Sequence, residues 1–314
     1  MQDFALMMLV AMAVDALCGW PAALYARIGH PVTWIGRLIT ALDRALNRDT
    51  DRFATRRAGG VLAMLLAITA AALPALIVQS LLPGGTAAIL IGGILAWPLV
   101  ATRSLHDHVA SVARPLASGD LPAARRAVAM IVGRDPQVLD HAGVSRAALE
   151  SLAENASDGV VAPLFWGALL GLPGIAAYKA INTLDSMIGH RSARFAAFGW
   201  ASARLDDLVN LIPARLTGVL FAVTSARPGA ALACMVQDAR QHRSPNAGWP
   251  EAAMAGGLGI RLSGPRHYGD RLAQEPFVNA ACPDPHPDDV FAGLALFRRG
   301  MFAAAALLVL PVLI

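Results

Sequence analysis

The chain has 314 residues, 56% of them hydrophobic and only 15% charged, with a formal net charge of +4. Soluble domains carry roughly 25% charged residues, so this composition, with a mean hydropathy of +0.51, argues against an ordinary soluble enzyme and for a membrane protein. The basic residues are dispersed rather than gathered into a patch, which argues against nucleic acid as a partner. Cys18, Cys234 and Cys282 lie far apart without metal-ligand spacing, which argues against a disulfide framework or a zinc site.

The first apolar helix is expected over Phe4 to Leu17; with no basic leader region before it, it reads as a retained helix rather than a removed signal. A polar loop from Gly19 to Arg57 follows, carrying Arg27, Arg37, Arg44, Arg48, Arg52, Arg56 and Arg57. The uncharged run from Ala58 to Thr102 exceeds the ~20 residues of a single span. It breaks at Pro83-Gly84-Gly85, so it predicts a hairpin of two spans. A second basic region, Arg103 to Asp158, completes a pattern in which Arg-rich loops belong on the cytoplasmic side.

Gly159 to Tyr178 is also uncharged, but Gly171-Leu172-Pro173-Gly174 interrupts it, and the following stretch from Asn182 to Asp207 holds Arg191, Arg194 and Arg204. A re-entrant helical hairpin reconciles these features, since broken backbone at membrane depth is tolerated when protein surrounds it. Leu208 to Met235, interrupted by Pro213 and by Arg227-Pro228-Gly229, predicts a second shallow hairpin. Gln237 to Arg299 reads as loop-rich and without strands, and Gly300 to Ile314 as a short apolar end. The expectation is an all-α integral membrane protein: a single membrane-embedded domain over 1–314, polytopic, with re-entrant hairpins and polar loops on the cytoplasmic face.

Four clusters carry candidate chemistry. Arg146, Glu150, Glu154 and Asp158 recur every four residues, with Asn155 and Ser157 beside them. An exposed Arg–Glu ladder would give this spacing, yet hard oxygen donors at the mouth of an apolar segment also suit Mg²⁺. Lys179, Asn182, Asp185 and Ser186 share one face of a helix end, which favours phosphate or carboxylate binding over a snorkelling lysine. In the third cluster, one of Asp206 and Asp207 is expected to face Asn210. Arg215, inside apolar sequence, should pair with a carboxylate or bind an anion. The fourth, Asp238 to Glu251, sets Arg240, His242 and Arg243 beside the turn Ser244-Pro245-Asn246, an anion-binding loop. His30, in His30-Pro31-Val32, reads as structural. No GxxxxGK[ST] or GxGxxG nucleotide cradle is present.

Taken together, the blocks GRD at Gly133 to Asp135, RAALESLAENASDGVVAPLFW, YKAINTLDSMIG, FGWASARLDDLVNLIPARLTG and SPNAGWPEAAMAGGLG, with HPVTWIG near the N-terminus, closely resemble the adenosylcobinamide-phosphate synthases of cobalamin biosynthesis, the CobD/CbiB family. Gly19-Trp20-Pro21, Pro136 and His190 depart from that family's usual Gly-Asp-Pro, Thr and Tyr. The resemblance implies a multi-pass enzyme of the bacterial inner membrane with its active site facing the cytoplasm. It implies amide ligation of adenosylcobyric acid to aminopropanol or its O-phosphate, with ATP as co-substrate and Mg²⁺ as cofactor, alongside other late corrin-pathway enzymes. On that reading Glu154, Asp158, Asp185 and Asp206 or Asp207 hold Mg²⁺, and Lys179, Arg204 and Arg215 contact phosphoryl groups. Asn155, Asn182 and Asn210, with Ser186, orient ligands. Glu150 or Glu154 takes the proton from the amine, and Arg243, Ser244 and Asn246 grip substrate. The alternatives are a transporter or an AmpE-like non-catalytic sensor. The first predicts inverted repeats, which the sequence lacks, and the second predicts eroded acidic clusters, which here are intact.

Overall fold

The computed structural model describes residues 2–132, 136–190, 192–268 and 271–313. The GRD block at Gly133 to Asp135 and Arg191 therefore lie outside the described residues. The helices in chain order are α1 (Gln2–Cys18), α2 (Ala22–Ile28), α3 (Pro31–Leu46), α4 (Phe53–Leu81), α5 (Thr86–Ala96), α6 (Thr102–Ala117), α7 (Leu121–Val128), α8 (His141–Ala156), α9 (Ala162–Ile188), α10 (Trp200–Val209), α11 (Leu211–Thr224), α12 (Pro228–Asp238), α13 (Gly248–Leu258) and α14 (Pro287–Leu313). Four helical stretches among the described residues are long and apolar enough to cross a membrane: Phe53–Leu81, Thr86–Ala117, His141–Ile188 and Pro287–Leu310. Counting the two bent pairs raises the total to six. Only 11% of the most apolar window of α4 is buried. An apolar face of that length is tolerable against lipid but not against water, so the protein is a polytopic all-α membrane protein.

The chain divides into two compact units, the first made of Met1–Ala101, Ala162–Asn210 and Leu307–Ile314, the second of Thr102–Val161 and Leu211–Ala306. In the first, α9 is central and packs on α1, α3, α4, α5 and α10. Ile39, Ala63, Ala67, Leu184, Ile188 and Phe198 form a closed core where α3, α4 and α9 meet. The polar side of the same junction is tied by Arg194 to Asp43 (2.7 Å) and by Asn47, which donates to Asp43 (2.7 Å) and accepts from Arg56 Nε (2.8 Å). In the second unit α13 is central, packed on α8, α11 and α12. Two small antiparallel sheets accompany it: β1 (Leu262–Ser263) pairs with β4 (Phe277–Val278), and β2 (Arg266–Tyr268) with β3 (Arg271–Ala273).

The expected break in Gly159 to Tyr178 is present inside α9. Gly171 has φ 72° and ψ −149°, outside helical values. Beyond it the chain folds back. A Cβ placed on Gly174 would stand 2.3 Å from the Trp166 carbonyl oxygen, whereas eight residues of straight helix separate backbone atoms by about 12 Å. The freed backbone is satisfied from α4, whose Gln79 Oε1 accepts the Leu172 N–H at 2.7 Å. That is how a broken helix survives in an apolar setting.

Several expectations are corrected. Pro213 does not interrupt Leu208 to Met235. It lies in the first turn of α11, where a missing N–H costs nothing, and the break falls at Asn210 instead. The region Gln237 to Arg299 contains α13 and four short strands, because an Ala-rich stretch surrounded by helices can be buried on every side. The final apolar segment is not short: α14 starts at Pro287 and carries Arg298 and Arg299 within it. The polar loops Gly19 to Arg57 and Arg103 to Asp158 are largely helical, as α2, α3, α6, α7 and α8.

Two substitutions test the reversal. Gly171→Ala forces a Cβ into left-handed backbone and within 2.0 Å of Gln79 Oε1. Gln79→Ala orphans a buried amide, costing about 1–3 kcal/mol. Both should lower the unfolding midpoint in detergent, Gly171→Ala more; an unchanged midpoint in either would remove this account of the turn.

Candidate functional site

In the first unit, Tyr178, Asn182, Asp185 and Gly189 follow one another at helical spacing along α9 and its C-terminal exit. They face α10, which packs on α9. Asn210, at the C-terminal cap of α10, is 1% exposed. Its side-chain oxygen accepts the Tyr178 hydroxyl at 3.0 Å, and its amide donates to Asp206 Oδ2 at 3.0 Å. Asn182 hydrogen-bonds the same carboxylate. Trp166 Nε1 donates to the Val209 carbonyl at 3.1 Å, fixing the end of α10. Asp206 is therefore the acid that faces Asn210, as the spacing required of one of the pair.

Asp206 is 8% exposed, and its Oδ1 is buried without a hydrogen-bond partner among the described residues. Asp185 and Asp207 stand close enough to repel it and each other. Such a buried oxygen costs about 1–3 kcal/mol or more when left unmatched, so a cation or a proton donor is the missing complement. Lys179 is buried on the same helix, 8% exposed, and its charge is felt by His30. His30 itself caps α3, its Nδ1 accepting the Val32 N–H at 3.2 Å, which agrees with a structural histidine. Ser186 is exposed and bonds back to the Asn182 carbonyl.

Among the described residues no group of three or more His, Cys, Asp or Glu side chains is arranged to hold a metal unaided. Mg²⁺ usually takes one or two carboxylates together with phosphate oxygens and water. Asp206 with Asp185 or Asp207, all hard oxygen donors, fits that pattern. A pocket of about 320 Å³ adjoins them, lined by Gly189, His190, Phe195, Trp200, Arg204 and Asp207, with Ala196 and Ala203. Tyr178, His190, Phe195 and Trp200 escaped the sequence reading of the site. Tyr178 alone left a signal there, four residues before Asn182.

The second unit holds the remaining expected residues. Arg146 does not ladder with Glu150; it pairs with Asp284, which Arg261 also grips through Nε at 2.9 Å and NH2 at 2.5 Å. Both guanidiniums lie over the Phe277 ring. Glu150 is buried and accepts the Ser263 N–H at 2.7 Å, whereas Glu154 and Asn155 are exposed. Asp158 opens a single π turn, Ser157–Val161, a distortion frequent at functional sites. Arg215 has no carboxylate partner among the described residues. It stacks 4.4 Å over Trp249, donates to the Leu211 carbonyl at 2.7 Å, and feels the charge of Arg240. Ser244 Oγ accepts the Asn246 and Ala247 amides, so its hydroxyl shapes its own turn. Asn246 is buried, and Arg243 lies 3.7 Å from Glu275. The sequence gave no role to the His242–Glu251 pair, 3.6 Å apart with side chains 5% and 2% exposed. Burial and Asp238 push the Cys234 thiol up to about 12, so it is chemically inert.

The Arg261 hydrogen bond, with Arg146 behind it, holds the Asp284 carboxyl below its ordinary value of 3.8. A depressed acid stabilises the fold fully above that value and loses the contribution as pH falls through the lower, folded value. Asp284→Asn should therefore lower the unfolding midpoint at neutral pH, with the gap to the unmutated chain closing in strong acid. A pH-independent gap would show that the pair acts by packing alone.

The chain matches the family model described as CobD/Cbib protein over residues 8–297. It is 65% identical over 299 residues to a cobalamin biosynthesis protein CobD of Rhodobacter capsulatus, covering 95% of this chain and 94% of that one. The proteins of the same name from Sinorhizobium fredii and Brucella suis are 47% and 46% identical, over 99% and 96% of this chain and 99% and 94% of theirs. No solved structure matches the chain.

Proposed function

The chain belongs to the CobD/CbiB family of cobalamin biosynthesis, and from that membership and its buried acidic cluster we propose an ATP-dependent amide ligase. It joins the free carboxyl of adenosylcobyric acid to (R)-1-amino-2-propanol O-phosphate, or to aminopropanol. The observation that carries this reading is Asp206, buried with Asp185 and Asp207 beside it and Lys179 on the same helix as Asp185. An acid set so costly to bury is a functional site by default.

Amide formation at neutral pH needs an activated carboxyl. Transfer of the terminal phosphoryl group of ATP to the substrate carboxylate gives an acyl phosphate and ADP. The deprotonated amine then attacks the carbonyl carbon, and the C–O bond to phosphate breaks, releasing inorganic phosphate. The protein's part in such chemistry is positioning and charge stabilisation. Lys179 supplies a buried cation for phosphoryl oxygens, and Arg215, stacked on Trp249, supplies another in the second unit. Asn182 and Asn210 hold Asp206 in one orientation. Of the two acids read as the base, Glu154 suits the role better, since Glu150 already accepts the Ser263 amide. Mg²⁺, held by Asp206 with Asp185 or Asp207, would neutralise phosphoryl charge. The Arg-rich segments place this chemistry on the cytoplasmic side of the inner membrane.

Detergent-purified protein given adenosylcobyric acid, Mg²⁺-ATP and each amine should form amidated corrinoid, detected by mass spectrometry. Asp206→Ala should lower turnover by about 100-fold or more while helical content and unfolding midpoint stay close to those of the unmutated chain. No product with either amine from folded protein would reject the ligase; full activity in Asp206→Ala would reject the site.

A further inference from the structure

The pocket beside the acidic cluster lies wholly in the first unit and is bounded by both signs of charge. At about 320 Å³ it is at the small end of ligand sites, roughly 300–1,000 Å³. It suits a compact molecule and cannot enclose a corrin macrocycle. Its floor touches the acids: a Cβ on Gly189 would stand 2.0 Å from Asp185 Oδ1, and Asp207 is itself part of the lining.

Arg204 and Asp207 sit one helical turn apart, 3.8 Å between NH1 and Oδ2, with side chains 63% and 36% exposed. A pair that loose and solvated contributes little to stability, so each group can turn to a ligand at small cost. His190 adds a second anion partner. Between the charges the wall is short and apolar, made of Phe195, Ala196, Trp200 and Ala203. Trp200 is held in place by Arg57, whose guanidinium lies 3.5 Å from the ring centroid. The complement of this surface is a small zwitterion: an ammonium at Asp207, an anion at Arg204 and His190, and two or three carbons between.

Resting on the ligase reading, we propose that this pocket is the amine subsite and that its occupant is a phosphorylated amino alcohol. The ammonium lies at Asp207, beside Asp185, and the phosphate is held by Arg204 and His190. An unphosphorylated amino alcohol leaves both cationic partners unmatched. A site built for a polar group strongly rejects the analogue that lacks it. The headgroup of phosphatidylethanolamine offers the same ammonium and phosphate, so the test separates the two sources.

Ala203→Leu fills the pocket without changing charge, Arg204→Gln removes the phosphate partner, and Arg204→Lys keeps its charge. In detergent, the KM for the phosphorylated amine should rise by about tenfold or more in Ala203→Leu and Arg204→Gln, the worth of one charge-assisted contact. Arg204→Lys should recover part of that loss. The KM values for ATP and corrinoid should stay within about twofold, as expected when only one substrate's binding is touched. An unchanged amine KM in both folded variants overturns the subsite. So does loss of co-purifying phosphatidylethanolamine from Ala203→Leu with no change in amine KM, which would give the pocket to lipid. If the unmutated chain forms no amide, the ligase reading fails separately. Calorimetry with aminopropanol phosphate then decides the pocket: binding abolished by Ala203→Leu supports it, and no binding overturns it.

Discussion

The hydrogen-bonded string from Tyr178 through Asn210 to Asp206 is the constraint on which the candidate site depends. Asn210 is buried, so each of its side-chain groups must be matched or cost about 1–3 kcal/mol. The match is specific: a hydroxyl donates to its oxygen, and a carboxylate accepts from its amide. Shifting α10 by one residue relative to α9 would break both bonds at once. The string therefore fixes the register in which Asp206 points into the interior and its neighbour Asp207 into the pocket. Trp166 adds a third tie at the same helix end.

The reversal at Gly171 makes this arrangement possible in an apolar chain. A continuous helix from Ala162 onward would carry Lys179, Asn182 and Asp185 far from the start of the segment. The kink brings Gly174 back against Trp166, with Gln79 meeting the one amide that loses its helical partner. The first half of α9 then holds the Trp166 that pins α10, while the second half supplies the polar face. One glycine with positive φ and one glutamine inside an apolar helix are thus part of the same device.

The polar residues of the second unit separate by what they touch. Glu150, Arg146, Asp284 and Ser244 satisfy backbone amides or one another, which is structural work. Glu154, Asp158 at its π turn, and Arg215 on Trp249 are placed for exchange with a ligand. Spacing along the chain does not distinguish these groups, because an i, i+4 pattern describes a helix face and not its neighbours. Arg146 shows the difference: its nearest acids in sequence are on its own helix, but it pairs with Asp284.

The sequence alone determined the membrane class, the hairpin breaks at Pro83 to Gly85 and at Gly171 to Gly174, and the family. It also marked Lys179, Asn182, Asp185, Asp206, Asp207 and Asn210 as a connected chemistry. These are properties of composition, of breaker residues and of local helical period, which need no knowledge of neighbours. Tertiary structure decided the rest. It chose Asp206 over Asp207 as the buried acid, brought Tyr178 to Asn210, and formed a pocket from Gly189, His190, Phe195 and Trp200. It also buried α13, whose sequence reads as a glycine-rich loop. Those outcomes depend on which helix faces meet, and contacts between segments distant in sequence leave no periodic trace in either one.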